Sequence, residues 1–201
     1  PDWEDRVQVQ RQLAECFGES CDKGYFILPA DRKPRILFLG ASLGSIATLF
    51  FYVEWLKRFD RSDLEIHILD LIEEPLIRTQ AGDFDLPASA LSYCDPSGVT
   101  SEHGYKKLLE SSIIHVGNVI RLPQLLADFD VVIAPYLHHH LNIFDKKMAC
   151  KEMERITRAG ALQLIGDLYF DYESFNRWLV RHRVEQVPYA IESFITREQH
   201  Q

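Results

Sequence analysis

Short apolar runs that stop at glycine or aspartate alternate along this chain with segments whose apolar residues recur at helical spacing. Ile36-Leu37-Phe38-Leu39 ends on Gly40, and Ile46, Leu49, Phe50, Val53 and Leu56 then follow a helical period. The same reading predicts a helix over 3–17 (Trp3, Val7, Leu13, Phe17), strand 35–39, helix 45–59 and strand 65–69, closed by Asp70. A short helix starts near Pro75 and stops around Gly82, and a helix near 105–111 precedes strand 113–116. Residues 123–127 read as helical and 130–134 as a strand. Phe144, Met148, Glu152 and Ile156 recur every fourth residue in a helix over 145–158, closed by Gly160. Strand 162–165 ends at Gly166-Asp167; a helix over 172–182 and two short strands near 184–188 and 191–197 complete the pattern.

Strands alternating with helices predict an α/β fold: a doubly wound, mostly parallel sheet with helices on both faces, and a C-terminal antiparallel strand pair. Ligands of such sheets sit outside the carboxyl ends of the strands. No internal repeat or linker divides the chain, so residues 1–34 read as a helical cap and 35–201 as one ligand-binding domain. Residues 82–104 are rich in Gly, Pro, Asp and Ser yet carry Phe84, Leu86, Leu91 and Tyr93. They read either as a lid over a bound ligand or as a static loop packed on the sheet edge.

Composition changes this picture little. The 201 residues carry a net charge of −8, which argues against a sequence-independent hold on nucleic-acid phosphates. Cys16, Cys21, Cys94 and Cys150 form no CxxC pair and read as reduced thiols of a cytoplasmic protein, monomer or homodimer. The 21 residues from Ile36 to Leu56 hold one charge, Glu54, and are long enough for a membrane span. Their division into apolar run, Gly/Ala/Ser turn and amphipathic segment favours strand, turn and helix instead.

That strand–turn–helix unit, Arg35-Ile36-Leu37-Phe38-Leu39-Gly40-Ala41-Ser42-Leu43-Gly44, has the form of a nucleotide-type loop: glycines admit close approach to backbone N–H groups, and a helix N-terminus follows. Other segments join it in order: Asp70 closing the second strand, His115-Val116-Gly117-Asn118-Val119-Ile120-Arg121-Leu122-Pro123, Phe129–Ala134 followed by Leu137-His138-His139, and Glu154–Leu162. Together they resemble the class I S-adenosylmethionine-dependent methyltransferases from about Arg35 to Arg197. The resemblance implies a Rossmann-like fold, S-adenosylmethionine as cofactor with S-adenosylhomocysteine as product, and a small-molecule methyl acceptor. It places Gly40, Ala41, Ser42, Gly44, Asp70, Leu71, Asn118, Val119 and Pro135 at the cofactor, and Tyr136, His138 and His139 at the acceptor. Two positions depart from the pattern. Phe38 stands where an acidic residue usually helps hold the amino-acid end of the cofactor, and Ser42 replaces the middle glycine.

Each assignment has a physical basis and a plainer competitor. A carboxylate at Asp70 accepts from both ribose hydroxyls, or merely caps a turn. Leu71 and Ile72 suit an adenine face, or the core. Asn118 donates and accepts at once, as an adenine edge requires, or is a turn residue. Tyr136 leaves the fourth strand where methyl group and acceptor meet, or is a rim aromatic. One of His138, His139 and His140 serves as general base, or one caps the next helix while another packs in the core. Three adjacent histidines diverge, and no ligand spacing such as H-x-x-x-H occurs, so no metal site is expected. Two other classes compete. G-A-S-L-G fits a nucleophile elbow, making Ser42 a hydrolase nucleophile with Asp167 and His182, although only 41 residues precede it. The Phe38 and Ser42 departures also fit a cofactor-binding module that has lost catalysis.

Overall fold

Alternate residues of the first strand point into two different cores, and this sets the layers of the molecule. The computed structural model describes residues 3–43, 46–59, 63–92 and 102–167. Within β1 (Arg35–Leu39), Ile36 and Phe38 face one apolar cluster, and Leu37 and Leu39 face the other. β2 (Glu65–Asp70), β3 (Ile113–Val116), β4 (Phe129–Pro135) and β5 (Thr157–Gly166) complete a sheet of order β3-β2-β1-β4-β5. Every pairing described is parallel. β4 is buried along its whole length, as the centre of a two-sided parallel sheet should be.

The Phe38 face is covered by α1 (Trp3–Asp22) and α2 (Ile46–Arg58), whose Phe17, Phe51 and Trp55 pack ring against ring over Ile36, Ile68 and Ile133. The Leu37 face is covered by α6 (Ile143–Ile156) through Ala149, Met153 and Ile156. A third cluster joins α1 and α2 to Phe84, Leu86, α4 (Ala88–Leu91) and α5 (Glu102–Glu110). The remaining helix, α3 (Glu73–Gln80), follows β2 directly. The run from Ile36 to Leu56 is thus part strand and part helix, and no helix among the described residues is long and apolar enough to cross a membrane.

Two expectations change. Residues 123–127 form a turn closed by the Leu126 N–H on the Pro123 carbonyl (3.0 Å), not a helix. Arg155 of α6 donates to the carbonyls of Leu122 (3.4 Å) and Leu126 (3.3 Å), so tertiary partners replace the helical ladder that five residues cannot nucleate. α6 ends at Ile156, where Thr157 turns extended, and Gly160 (φ 77°) lies inside β5 at a break in register with β4. That bulge is held by Arg158, which reaches back to the fully buried Asp130; Arg32 forks onto the same carboxylate at 2.7 and 2.8 Å. Phe84 and Leu86 are buried and Leu91 packs beside them; Tyr93 lies outside the described residues. The segment 172–182 and the C-terminal antiparallel pair also lie outside them, and the described sheet is parallel throughout.

A polar seam crosses the base of the sheet on the α6 side. Arg35 donates to Glu65 (2.7 Å), Glu65 bonds His67 Nε2 (2.7 Å), and His67 Nδ1 bonds His115 Nε2 (2.8 Å). Burial, together with the charge His67 would carry, pushes His115 down to about 4; burial also lowers His67.

Candidate functional site

The chain leaves β1 through Gly40, whose φ of 66° suits glycine and few other residues. A Cβ added there would lie 3.1 Å from Leu137 Cδ1, so the exit of β4 leans directly over the turn. Ala41 N–H extends the ladder to the Leu69 carbonyl (3.0 Å). Ser42 follows at φ 49°, a left-handed conformation that a side chain adopts at a cost of about 1–2 kcal/mol. Its N–H donates to Asp70 Oδ2 (2.8 Å), and its carbonyl accepts from Thr79 Oγ1 of α3 (3.2 Å). Gly44 lies outside the described residues.

Asp70 ties three strand exits together. Its carboxylate accepts from Ser42 N–H and, at 3.2 Å, from Ile72 N–H, while its carbonyl accepts from Gly117 N–H (3.0 Å). The turn-capping role is therefore real, and each carboxylate oxygen keeps a further lone pair for a hydroxyl. Leu71 and Ile72 are 66% and 60% exposed, so neither belongs to the core. Leu43 on the glycine turn is exposed as well. Asn118 is exposed, and its side-chain oxygen accepts from Ile120 N–H (3.1 Å). The Val119 side chain is buried in the α6-side cluster.

Phe38 lies fully buried with its ring edge-on to Phe51, centroids 5.7 Å apart. An acid at this position would point into an aromatic core, which explains the apolar residue. It also leaves the amino-acid end of a cofactor without that carboxylate.

At the far side, β4 ends at buried Pro135, and Tyr136 turns sharply (φ 52°) while its N–H donates to the Gly166 carbonyl of β5 (2.7 Å). His138–His140 then form one 3₁₀ turn. His138 is buried and His140 exposed, and among the described residues no group of three metal-ligating side chains converges. The cap of α6 is Asn142, accepting from Phe144 N–H (2.9 Å) and Asp145 N–H (3.0 Å), and not a histidine.

His139 is held from β5. Asp167 Oδ2 accepts from the His139 backbone N–H and Oδ1 bonds ring Nδ1, both at 2.7 Å, with the two side chains 2% and 7% exposed. The Tyr136 ring stands edge-on to His139 at 5.8 Å and the His140 ring lies 4.0 Å away. Lys146 is also buried; burial lowers its pKa and the Asp167 charge acts the other way. Sequence reasoning considered Asp167 only as part of a hydrolase triad and missed Lys146. The available signal was phase, since Lys146 shares one helical stripe with Ala149, Met153 and Ile156.

The hydrolase reading gains nothing from this geometry. Ser42 is anchored on the β2 side by Asp70 and Thr79, whereas Asp167 engages His139 on the β5 side. His182 lies outside the described residues.

Comparison with solved structures agrees with the topology. The chain is similar to the YcgJ protein from Bacillus subtilis (TM-score 0.54, 18% identity, 94% of this chain and 65% of that one). It is also similar to the CurJ carbon methyltransferase (0.54, 14%, 86% and 40%). The S-adenosylmethionine-dependent methyltransferase SibL compares likewise (0.52, 12%, 84% and 42%). The chain has the Rossmann-like fold of the class I methyltransferases. It spans less than two thirds of the length of each of these three proteins. No protein-family model and no curated protein sequence matches it.

Proposed function

We propose that this chain transfers the methyl group of S-adenosylmethionine to a small-molecule acceptor, releasing S-adenosylhomocysteine. The observation that carries the reading is the meeting of two strand exits: a glycine turn pinned by Asp70, and Leu137 leaning over Gly40 ahead of the histidine turn. Gly40 and Gly44 would let the amino-acid end of the cofactor approach the backbone, Ala41 and Ser42 would shape that turn, their own N–H groups being taken by the Leu69 carbonyl and Asp70, and Asp70 would hold the ribose hydroxyls. Leu71, with Ile72, would cover the adenine face and Asn118 its edge, while Pro135 lines the approach. The bound cofactor supplies a methyl group on a cationic sulfur, which an acceptor lone pair displaces in line. Tyr136, His138 and His139 stand where that acceptor enters, and the protein contributes alignment, exclusion of water and removal of a proton.

Net charge of −8 and a β4 exit reading Ala134-Pro135-Tyr136-Leu137 support a small molecule over nucleic acid. The free thiols of Cys16, Cys21 and Cys150 support a cytoplasmic setting, with the chain acting as monomer or homodimer. The buried Phe38 favours one alternative, a module that binds the cofactor without turnover. Calorimetric titration with S-adenosylmethionine and S-adenosylhomocysteine tests both. One-to-one binding of either supports a cofactor site, and binding of neither refutes both readings.

A further inference from the structure

Ser42 keeps a left-handed backbone (φ 49°), a conformation that persists in a residue with a side chain only where its surroundings hold it. Two side chains from different elements do so. Asp70, at the end of β2, accepts from the Ser42 N–H at 2.8 Å. Thr79, fully buried in the last turn of α3, donates its hydroxyl to the Ser42 carbonyl at 3.2 Å. The Ser42–Leu43 peptide is trans, so its carbonyl and its N–H point in opposite directions. With the carbonyl drawn onto α3, the Leu43 N–H is turned away from α3, at an exposed residue. Ala41 donates to the Leu69 carbonyl and Ser42 to Asp70, whereas no described residue accepts from the Leu43 N–H. An N–H donates, so the group it suits is an anion, and the anionic part of the proposed cofactor is its carboxylate.

We propose that Thr79 is a positioning residue for the cofactor's amino-acid end: its hydroxyl, by holding the Ser42 carbonyl, sets the Leu43 N–H to donate to the cofactor carboxylate. This deepens the methyl-transfer reading and rests on it. Thr79 is itself fully buried and acts through the plane of the Ser42–Leu43 peptide. Packing alone would ask nothing of the hydroxyl. Valine at this position keeps nearly the same shape and loses the donor, while serine keeps the donor and loses a methyl group.

The test is calorimetric titration of the full chain and its Thr79 variants with two probes, S-adenosylmethionine and its decarboxylated analogue, which lacks only the carboxylate. The parent should prefer S-adenosylmethionine. In Thr79→Val that preference should shrink by about two- to tenfold, the scale of one hydrogen bond, and Thr79→Ser should retain it. A merely structural role would weaken both probes alike, so a parent-like preference in Thr79→Val overturns the proposal. Should Thr79→Val not fold, the Leu43 amide of the ¹⁵N-leucine-labelled parent decides, its signal assigned by loss in Leu43→Met. That signal should move more with S-adenosylmethionine than with the analogue, and equal movement overturns the proposal. The outcomes separate the two levels. Both probes binding the parent without preference refutes the placed donor and leaves the cofactor site standing; a parent that binds neither refutes methyl transfer and this proposal with it.

Discussion

Replacing Asp70 by alanine should have two separable effects, because this carboxylate both clamps the glycine turn and faces the proposed ribose. In the empty protein it accepts from Ser42 N–H at 2.8 Å and Ile72 N–H at 3.2 Å. Both lie at a partly exposed strand end where water can replace the lost acceptor. Each bond is therefore worth about 0.5–1 kcal/mol here, short of the 1.5–3 kcal/mol of a buried charged bond. The variant should lose about 1–2 kcal/mol of stability, or about 2–8 °C in Tm for a chain of this size. Binding should suffer more, since the remaining lone pairs would hold two hydroxyls in a bidentate arrangement. Loss of about 1–3 kcal/mol corresponds to about a five- to 150-fold weaker Kd for S-adenosylhomocysteine. Isothermal calorimetry on folded variant reads this directly, with Glu73→Ala, an exposed acid of the next helix, as a charge control of unchanged affinity. Parent-like affinity in folded Asp70→Ala would remove Asp70 from the ribose site. An unchanged Tm would show that the clamp contributes nothing.

Other expectations are more compact. His115 has its folded pKa lowered to about 4, so the folded state binds fewer protons than the unfolded state across the window from about 6.5 down to 4. Stability is then full above pH 6.5 and lost as pH falls; after discounting for partial exposure the loss is about 1–2 kcal/mol, and urea titrations of His115→Gln should show a flatter acid limb. Ser42→Gly relieves the left-handed backbone and should raise stability by about 0.5–1 kcal/mol once unfolded-state entropy is deducted; a destabilised variant would mean the side chain is holding the turn. Serine-directed phosphonates should leave Ser42 unlabelled, and a stoichiometric adduct there would revive the hydrolase reading.

The inner strands were legible because they are buried on both faces. Ile36–Leu39 and Val131–Ala134 are unbroken apolar runs, and the glycine or proline after each marks the exit where a ligand can sit. Hydrophobic period and turn chemistry are local properties, so β1, α2, β2, β3 and β4 could be read within a residue or so at most ends. The errors fell where partners distant in sequence supply the hydrogen bonds. Residues 123–127 have a helical composition, but Arg155 and Glu152 of α6 bond the backbone of Leu122, just before the segment, and Arg155 that of Leu126 within it. β5 begins early because Arg158 is drawn to Asp130 and bends the strand around Gly160.

The site divides along the same line. Gly40, Ser42, Asp70 and the histidine turn announced themselves by residue type and order, since backbone approach, charge and imidazole chemistry belong to single residues. Their roles did not. That Phe38 turns inward to Phe51, that Val119 packs while Leu71 stands exposed, and that Asp167 bonds the His139 ring depend on which strand lies beside which. The sequence by itself determined an alternating α/β chain with a glycine turn and a line of candidate side chains. Only the tertiary structure decided which of them meet, because the β3-β2-β1-β4-β5 order brings residues far apart in the chain to one edge of one sheet.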